Sequence, residues 1–220
     1  MSTILITGAT SGIGLEAAVA LARQGNRLVL VGRDQKKMNA AVGEVKRRAG
    51  VAAPDSWLCD FGSQAQTRKL AADVLAKYDR LDVLVNNAGL ATRRREVTKD
   101  GIERTLAVNH LGPFLLTNLL LDLLVKSAPA RVVNVASVEH YNATMDLSDL
   151  GYERTGWNIT KAYGRSKLGN VMFTRALAKR IEGKTGLYVN QLKPKEPSKL
   201  ALDDELAERL WAESARLVKL

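Results

Sequence analysis

Thr3-Ile4-Leu5-Ile6-Thr7-Gly8-Ala9-Thr10-Ser11-Gly12-Ile13-Gly14 is the stretch that decides the fold. An apolar run leads straight into a turn with glycines at 8, 12 and 14, and the turn leads straight into a helical pattern from Leu15 to Arg23. Where a strand turns sharply into a helix, missing side chains let backbone N–H groups and the helix N-terminus approach a pyrophosphate. The turn reads as a nucleotide seat. Its spacing, G-x-x-x-G-x-G, is neither the G-x-G-x-x-G fingerprint nor a P-loop, because no Lys-Ser/Thr pair follows Gly14.

Outward from this turn the chain alternates strand and helix. Apolar runs recur at Arg27 to Val31, Leu81 to Val85 and Arg131 to Val135, with weaker ones near Ser56 to Cys59 and Gly186 to Leu192. They lack polar alternation, as strands of a parallel sheet covered on both faces do. Gly25-Asn26 stops the first helix, Asp34 to Ala49 reads as a second, and Ser63-Gln64-Ala65-Gln66 has the form of a capping box opening a third. A long helix is expected from about Asp100 to Lys126, closed by Ala128-Pro129, and another from about Asn158 to Ile181. The expectation is an α/β fold, a doubly wound parallel sheet in one domain over residues 1–220, with no internal boundary.

Composition narrows the classes of function. A chain of 220 residues can bury a sizeable core. No run of about 18 apolar residues is present to span a bilayer, and Met1-Ser2 leads directly into the first strand. A single cysteine, Cys59, excludes an intrachain disulfide, and two histidines make a structural zinc site implausible. These features suggest a soluble, cytoplasmic protein without a metal. The net charge of +10 is scattered among helices with acidic neighbours, a solvated basic surface rather than a nucleic-acid stripe.

Chemistry enters with Tyr163-Gly164-Arg165-Ser166-Lys167, which places a phenol and an ammonium four residues apart on one helix face. Ser137 follows the strand Arg131 to Val135, at the end where ligands meet an open α/β sheet. Asn109 lies inside the long helix, where an asparagine competes with the backbone unless it has a partner. Asn86-Asn87-Ala88-Gly89 ends the fourth strand on the same rim.

At these residues the chain resembles the short-chain dehydrogenase/reductase family, with the Thr7 to Gly14 turn, Asn86 to Gly89, Asn109, Ser137 and Tyr163 with Lys167 matching its motifs in order. Val108-Asn109-His110-Leu111-Gly112-Pro113, Ser127-Ala128-Pro129 and Ser166-Lys167-Leu168-Gly169-Asn170 resemble the retinol dehydrogenase-like branch. The resemblance implies a carbonyl–alcohol oxidoreductase with Asn109, Ser137, Tyr163 and Lys167 as the catalytic set. A phenol alone is a poor acid or base near neutral pH, and an ammonium one turn away favours its ionised form. Tyr163 is thus implied to protonate the carbonyl oxygen, Ser137 to hold that oxygen, Lys167 also to bind the nicotinamide ribose, and Asn109 to anchor a water. The cofactor is implied to rest on Gly8, Thr10, Ser11, Gly12, Ile13, Gly14, Arg33, Asp60, Asn87, Ala88 and Gly89, together with Tyr163 and Lys167. An acid at the end of the second strand would bind a ribose 2′-hydroxyl, whereas an arginine pairs with a 2′-phosphate. Gly32 stands in the acid's place and Arg33 follows, which favours NADP over NAD, with Lys37 as a helper and Asp34 as a helix cap.

Other features have plainer readings. Arg93-Arg94-Arg95 is a solvated loop, His110 a hydrogen-bonded helix residue, and Leu206, Leu210, Trp211 and Leu217 a core stripe on a final helix. By resemblance the two long helices would form a homodimer interface, with Gly164 and Gly169 allowing close approach. The family's Pro-Gly turn, substrate loop and seventh strand are missing: Tyr188 to Leu192 runs into Lys193-Pro194-Lys195-Glu196-Pro197-Ser198 and then a terminal helix. The resemblance implies that several tens of residues are absent near Gln191 to Lys193: either the chain is naturally shortened or, the favoured reading, the sequence joins two ordered parts across a mobile substrate lid. The expected substrate is a small lipophilic carbonyl or alcohol such as a retinoid, steroid or lipid aldehyde. The alternative is a nucleotide-binding regulatory protein without turnover.

Overall fold

Thr3–Thr7 forms β1, Arg27–Gly32 β2, Asp55–Leu58 β3, Val83–Asn86 β4 and Arg131–Asn134 β5, a five-stranded sheet in the order β3-β2-β1-β4-β5. The computed structural model describes residues 1–181 and 186–220. β1 lies parallel to β2, with Thr3 opposite Arg27, and parallel to β4, with Ile4 opposite Val83. Leu5, Ile6, Val29, Leu30 and Val31 are sealed from solvent, as a strand covered on both faces requires. From β1 the chain steps outward through β2 to β3 and then returns to β4 on the other side of β1. The switch point therefore falls between β1 and β4, where open α/β sheets take their ligands.

The crossover helices are α1, Gly12–Arg23; α2, Gln35–Ala49; and α3, Gln64–Lys77. Asp34 caps α2 by accepting the Lys37 N–H at 2.8 Å, as the sequence suggests. Ser63 caps α3 through the Gln66 N–H, but the Gln66 side chain reaches back to the Asp60 N–H at 2.9 Å rather than to Ser63. The capping box thereby fixes the backbone at Asp60.

The single helix expected over 100–126 is broken. Val97 and Glu103 form an isolated bridge, and α4, Arg104–Leu106, opens with Glu103 as its cap. A π-helical turn, Ala107–Leu111, follows, then α5, Gly112–Leu119, and α6, Leu121–Lys126. The cause is Pro113, which has no N–H to give the carbonyl of Asn109; the ladder widens, and the Gly112 N–H bonds the Ala107 carbonyl five residues back. The later helix is close to expectation: α7 spans Ile159–Arg180, and Asn158 caps it through the Thr160 and Lys161 N–H groups. The terminal helix, α8, is Asp204–Val218, with Ala207, Leu210, Ser214 and Val218 on its buried stripe.

The sixth strand expected within Gly186–Leu192 does not join the sheet. Val189–Asn190 (β6) instead pairs antiparallel with Lys193–Pro194 (β7) in a short hairpin, leaving β5 at the sheet edge with Val133 45% exposed. Two non-glycine residues, Gln191 at φ 49° and Leu192 at φ 62°, turn this hairpin, and Leu192 is 98% exposed. A tight hairpin selects Asn-Gly or a similar pair there, because left-handed backbone strains a residue with a Cβ. Gln-Leu is not a hairpin sequence, which agrees with a segment being absent at this point.

The described residues form two compact units. The first comprises Met1–Gly89 and Leu115–Val133 and carries the sheet. The second comprises Leu90–Phe114 and Asn134–Leu220 and carries the π-turn, α7 and α8. Gly164 and Gly169 serve contacts inside the second unit: a Cβ at Gly164 would lie 3.0 Å from the Glu139 carbonyl oxygen, and one at Gly169 would lie 2.9 Å from His110 Nδ1. These glycines thus give no support to a dimer interface.

Candidate active site

In the first unit the glycine turn is shaped by what it must approach. Gly8 takes φ +66°, and a Cβ on it would meet Ala88 Cα at 2.8 Å. A Cβ on Gly14 would fall 2.4 Å from the Gly8 carbonyl oxygen and 2.5 Å from Asn87 Nδ2. Asn87 Nδ2 donates to the carbonyls of Thr7 and Gly8 at 2.9 and 3.2 Å, stitching the β4 turn to the β1 turn. Thr7 Oγ1 receives the N–H groups of Asn87 and Ala88, both at 2.9 Å, and donates to the Val85 carbonyl. Sequence reasoning passed over Thr7 as a site residue; its signal is a buried threonine at a strand end beside a glycine. Ser11, Gly12 and Ile13 stand exposed at the start of α1, with Ser11 an extended cap that makes no side-chain cap bond. A cradle emptied of side chains at a helix N-terminus fits a dinucleotide pyrophosphate.

Gly32 lacks a side chain for a steric reason, since its Cβ would lie 2.5 Å from Thr10 Cγ2 and 3.1 Å from Met38 Cε. Arg33 and Lys37 are exposed just beyond it. Asp60, half-buried after β3, accepts the Gly62 N–H at 2.9 Å. Gly89, exposed, ends the β4 turn. Among the described residues no group of three or more His, Cys, Asp or Glu could hold a metal ion.

In the second unit Asn109 is tied to α7 through Ser166, Lys167 lies beside Tyr163, and Ser137 heads a short turn whose Glu139 carbonyl packs on Gly164. Asn109 is fully buried; Oδ1 accepts the Leu90 N–H at 2.8 Å, and Nδ2 donates to the Leu90 carbonyl at 2.9 Å and to Ser166 Oγ at 3.0 Å. Ser166 in turn donates to the Tyr163 carbonyl at 2.7 Å. Ser137 caps a short 3₁₀ turn, Val138–Asn142, by accepting the Glu139 N–H at 3.3 Å. That bond uses an oxygen lone pair and not the hydroxyl hydrogen. His140 Nδ1 donates to the Ser137 carbonyl at 2.7 Å, while its Nε2 accepts the Ser198 N–H at 3.1 Å.

Lys167 lies with Nζ 5.6 Å from the centroid of the Tyr163 ring and donates to the Val135 carbonyl at 2.8 Å. It is 3% exposed, and burial pushes its ammonium down to a pKa of about 8. The loop ahead of α7 is held by Arg165, which bonds the carbonyls of Thr144, Asp149 and Leu150 and stacks 3.9 Å from the centroid of the Tyr152 ring. Asp149 accepts from the backbone of Glu153, Arg154 and Thr155 and from the Thr155 hydroxyl, which holds its carboxyl well below the usual range. Arg95 of the basic run is a local clamp on the Gly151 carbonyl at 2.8 Å, while Arg93 and Arg94 face solvent.

The short chain dehydrogenase family profile matches residues 2–196. Human retinol dehydrogenase 13 is 33% identical over 280 aligned positions, covering 99% of this chain and 85% of that protein. With 220 residues to place, at least 60 of those positions have no residue of this chain opposite them. Mouse retinol dehydrogenase 14 is 42% identical over 87% of this chain, which spans only 60% of that relative's length. Among solved structures, an uncharacterized protein from Mycobacterium paratuberculosis superimposes with a TM-score of 0.86 at 28% identity, over 100% of this chain and 94% of its own. A short-chain dehydrogenase-like protein from Escherichia coli CFT073, complexed with NADPH, gives a TM-score of 0.66 at 28% identity, over 82% of this chain and 72% of its own. The chain belongs to the short-chain dehydrogenase/reductase family of oxidoreductases, in its retinol dehydrogenase-like branch.

Proposed function

We propose that this protein interconverts a carbonyl and an alcohol by hydride transfer with NADP, using Tyr163, Lys167, Ser137 and Asn109 as its catalytic set. The observation that carries this reading is Lys167, an ammonium buried beside the Tyr163 ring and held on the Val135 carbonyl. The bound dinucleotide supplies a hydride. Tyr163 gives a proton to the carbonyl oxygen in reduction and takes it back in oxidation, with the Lys167 ammonium beside its ring. Ser137 keeps its hydroxyl hydrogen for the same oxygen, because its cap bond engages only a lone pair. Lys167 spends one of three donors on Val135 and has two for a ribose and for proton exchange. Both polar ends of the Asn109 side chain are committed to Leu90 and Ser166, so a water anchored at Asn109 would have to use its main-chain carbonyl, to which Pro113 offers no N–H.

Arg33 at the end of β2, with Lys37 beside it, favours the 2′-phosphate of NADP, and a structural relative is complexed with NADPH. The substrate is a small lipophilic carbonyl or alcohol such as a retinoid, steroid or lipid aldehyde, in line with the names of the relatives. A second reading, nucleotide binding without turnover, is favoured only by the positions that lack a counterpart in this chain. NADPH oxidation against a panel of aldehydes and ketones separates the two. Tyr163→Phe abolishes that oxidation and leaves NADPH binding, followed by nucleotide fluorescence, intact; turnover retained in this variant overturns the assignment.

A further inference from the structure

His110 and Asn170 stand beside Asn109 and three residues past Lys167, 1% and 2% exposed, and take no part in the reaction proposed above. They are nonetheless joined to Lys167 by a continuous chain of hydrogen bonds. The Val135 carbonyl can only accept, and it receives Lys167 Nζ at 2.8 Å and Asn170 Nδ2 at 3.3 Å. With Nδ2 directed to Val135, Asn170 Oδ1 faces His110 Nδ1 at 3.3 Å. Nδ1 must then carry the ring hydrogen, and Nε2 is left to accept from Ser214 Oγ of α8 at 3.0 Å. One carbonyl therefore sets the polarity of the amide, the imidazole and the hydroxyl in turn.

Burial keeps the ring neutral, as this order requires, by pushing its pKa down to about 4. Phe114 and Phe173 enclose it with ring centroids 6.2 and 6.4 Å away, and Gly169 leaves it room, since a Cβ there would come within 2.9 Å of Nδ1. Among the described residues, the ionisable side chain against which Lys167 lies is Tyr163, with Nζ 5.6 Å from its ring centroid.

We propose that Asn170, oriented by His110 and through it by Ser214 of the C-terminal helix, is a positioning residue for Lys167. By sharing the Val135 carbonyl it fixes where Nζ rests and takes up acceptor capacity that would otherwise stabilise the ammonium. The inference rests on the role given to Lys167 in the proposed reaction, but its geometry can be tested without turnover.

The test is a pH titration of Lys167 in protein labelled with ¹³C-lysine, its signal assigned with Lys167→Met and the Tyr163 contribution removed with Tyr163→Phe. Asn170→Ala frees the carbonyl for the ammonium and raises the Lys167 midpoint by about half a unit or more. His110→Leu, which releases the Asn170 amide, shifts it in the same direction and serves if Asn170→Ala does not fold. His110→Asn, which keeps an N–H donor near the Nδ1 position, leaves the midpoint close to that of the parent protein. A midpoint unmoved by Asn170→Ala or His110→Leu overturns the proposal, and so does an equal shift in His110→Asn and His110→Leu. The basic limb of the kcat profile for carbonyl reduction moves with the midpoint. Absence of any carbonyl reduction in the parent protein counts against the proposed function alone, since the titration still judges the relay.

Discussion

A Cβ placed on Gly32 would meet Thr10 Cγ2 at 2.5 Å, so an acid at the end of β2, placed to bind a ribose 2′-hydroxyl, would require Thr10 to shift. Sequence shows the missing acid; the structure shows a methyl group packed where its Cβ would go. Arg33, exposed one residue later, is the charge to which the proposed NADP preference is assigned. Charge-assisted hydrogen bonds contribute about 1.5–3 kcal/mol, which is roughly 10- to 100-fold in affinity. Arg33→Ala is therefore expected to raise KM for NADPH by about tenfold or more and to leave KM for NADH within about twofold. Steady-state kinetics with both cofactors check this, and equal losses for the two would remove the 2′-phosphate assignment. His110 shows the opposite balance between sequence and structure. Its plain reading as a hydrogen-bonded helix residue holds, but only the structure supplies the partners: both ring nitrogens are engaged, with Asn170 and Ser214, out of reach of solvent.

At the scale of elements, Pro113 matters more than helix propensity. The periodicity of 100–126 is helical throughout, but the missing N–H at 113 converts the turn around Asn109 to π geometry. Pro113→Ala restores a donor one regular turn beyond Asn109 and lets the segment relax toward an α-helix. The expected result is a fall in kcat of about tenfold or more, because small displacements of catalytic groups are costly, with Tm held or raised. Undiminished kcat would show that the π-turn has no bearing on the chemistry. The two caps of α2 and α3 were legible because capping is local: Asp34 and Ser63 each accept an N–H three residues on. The return of Gln66 to Asp60 was not, because its target lies beyond the cap residue. The sixth strand was misjudged for a similar reason. Its apolar pattern fits a sheet, but β-pairing needs a neighbour and a register, and a left-handed Gln191-Leu192 turn folds it back on Lys193–Pro194 instead.

For the whole molecule, burial of titratable groups links stability to pH with the same sign in two separate windows. His110 has a folded pKa of about 4 against an ordinary value of 6.5. The unfolded chain therefore binds the extra proton first, and the stability that neutral His110 contributes is complete above 6.5 and lost as pH falls toward 4. The loss between pH 7 and pH 5 is about 2 kcal/mol for this group. Denaturant unfolding at the two pH values should show His110→Asn losing less stability on acidification than the parent by about that amount. An identical pH dependence in both would mean that His110 is not held neutral. Lys167, pushed down to about 8 from 10.5, has the same sign in a different window: stability rises from pH 8 toward 10.5 as the unfolded chain gives up a proton that the fold has already shed. No helix among the described residues is long and apolar enough to cross a membrane.

The sequence by itself determined the parallel α/β sheet, the glycine turn, the tyrosine–lysine pair and the family, because each is written in residues close together along the chain or in strand periods that require no partner. Tertiary structure alone decided the π-turn that presents Asn109, the methyl that packs against Gly32, the fate of the sixth strand, and the chain from Ser214 through His110 and Asn170 to the carbonyl that holds Lys167. The division follows from distance. His110 and Ser214 are 104 residues apart, and no local periodicity records which buried donor will meet which acceptor once the core has closed.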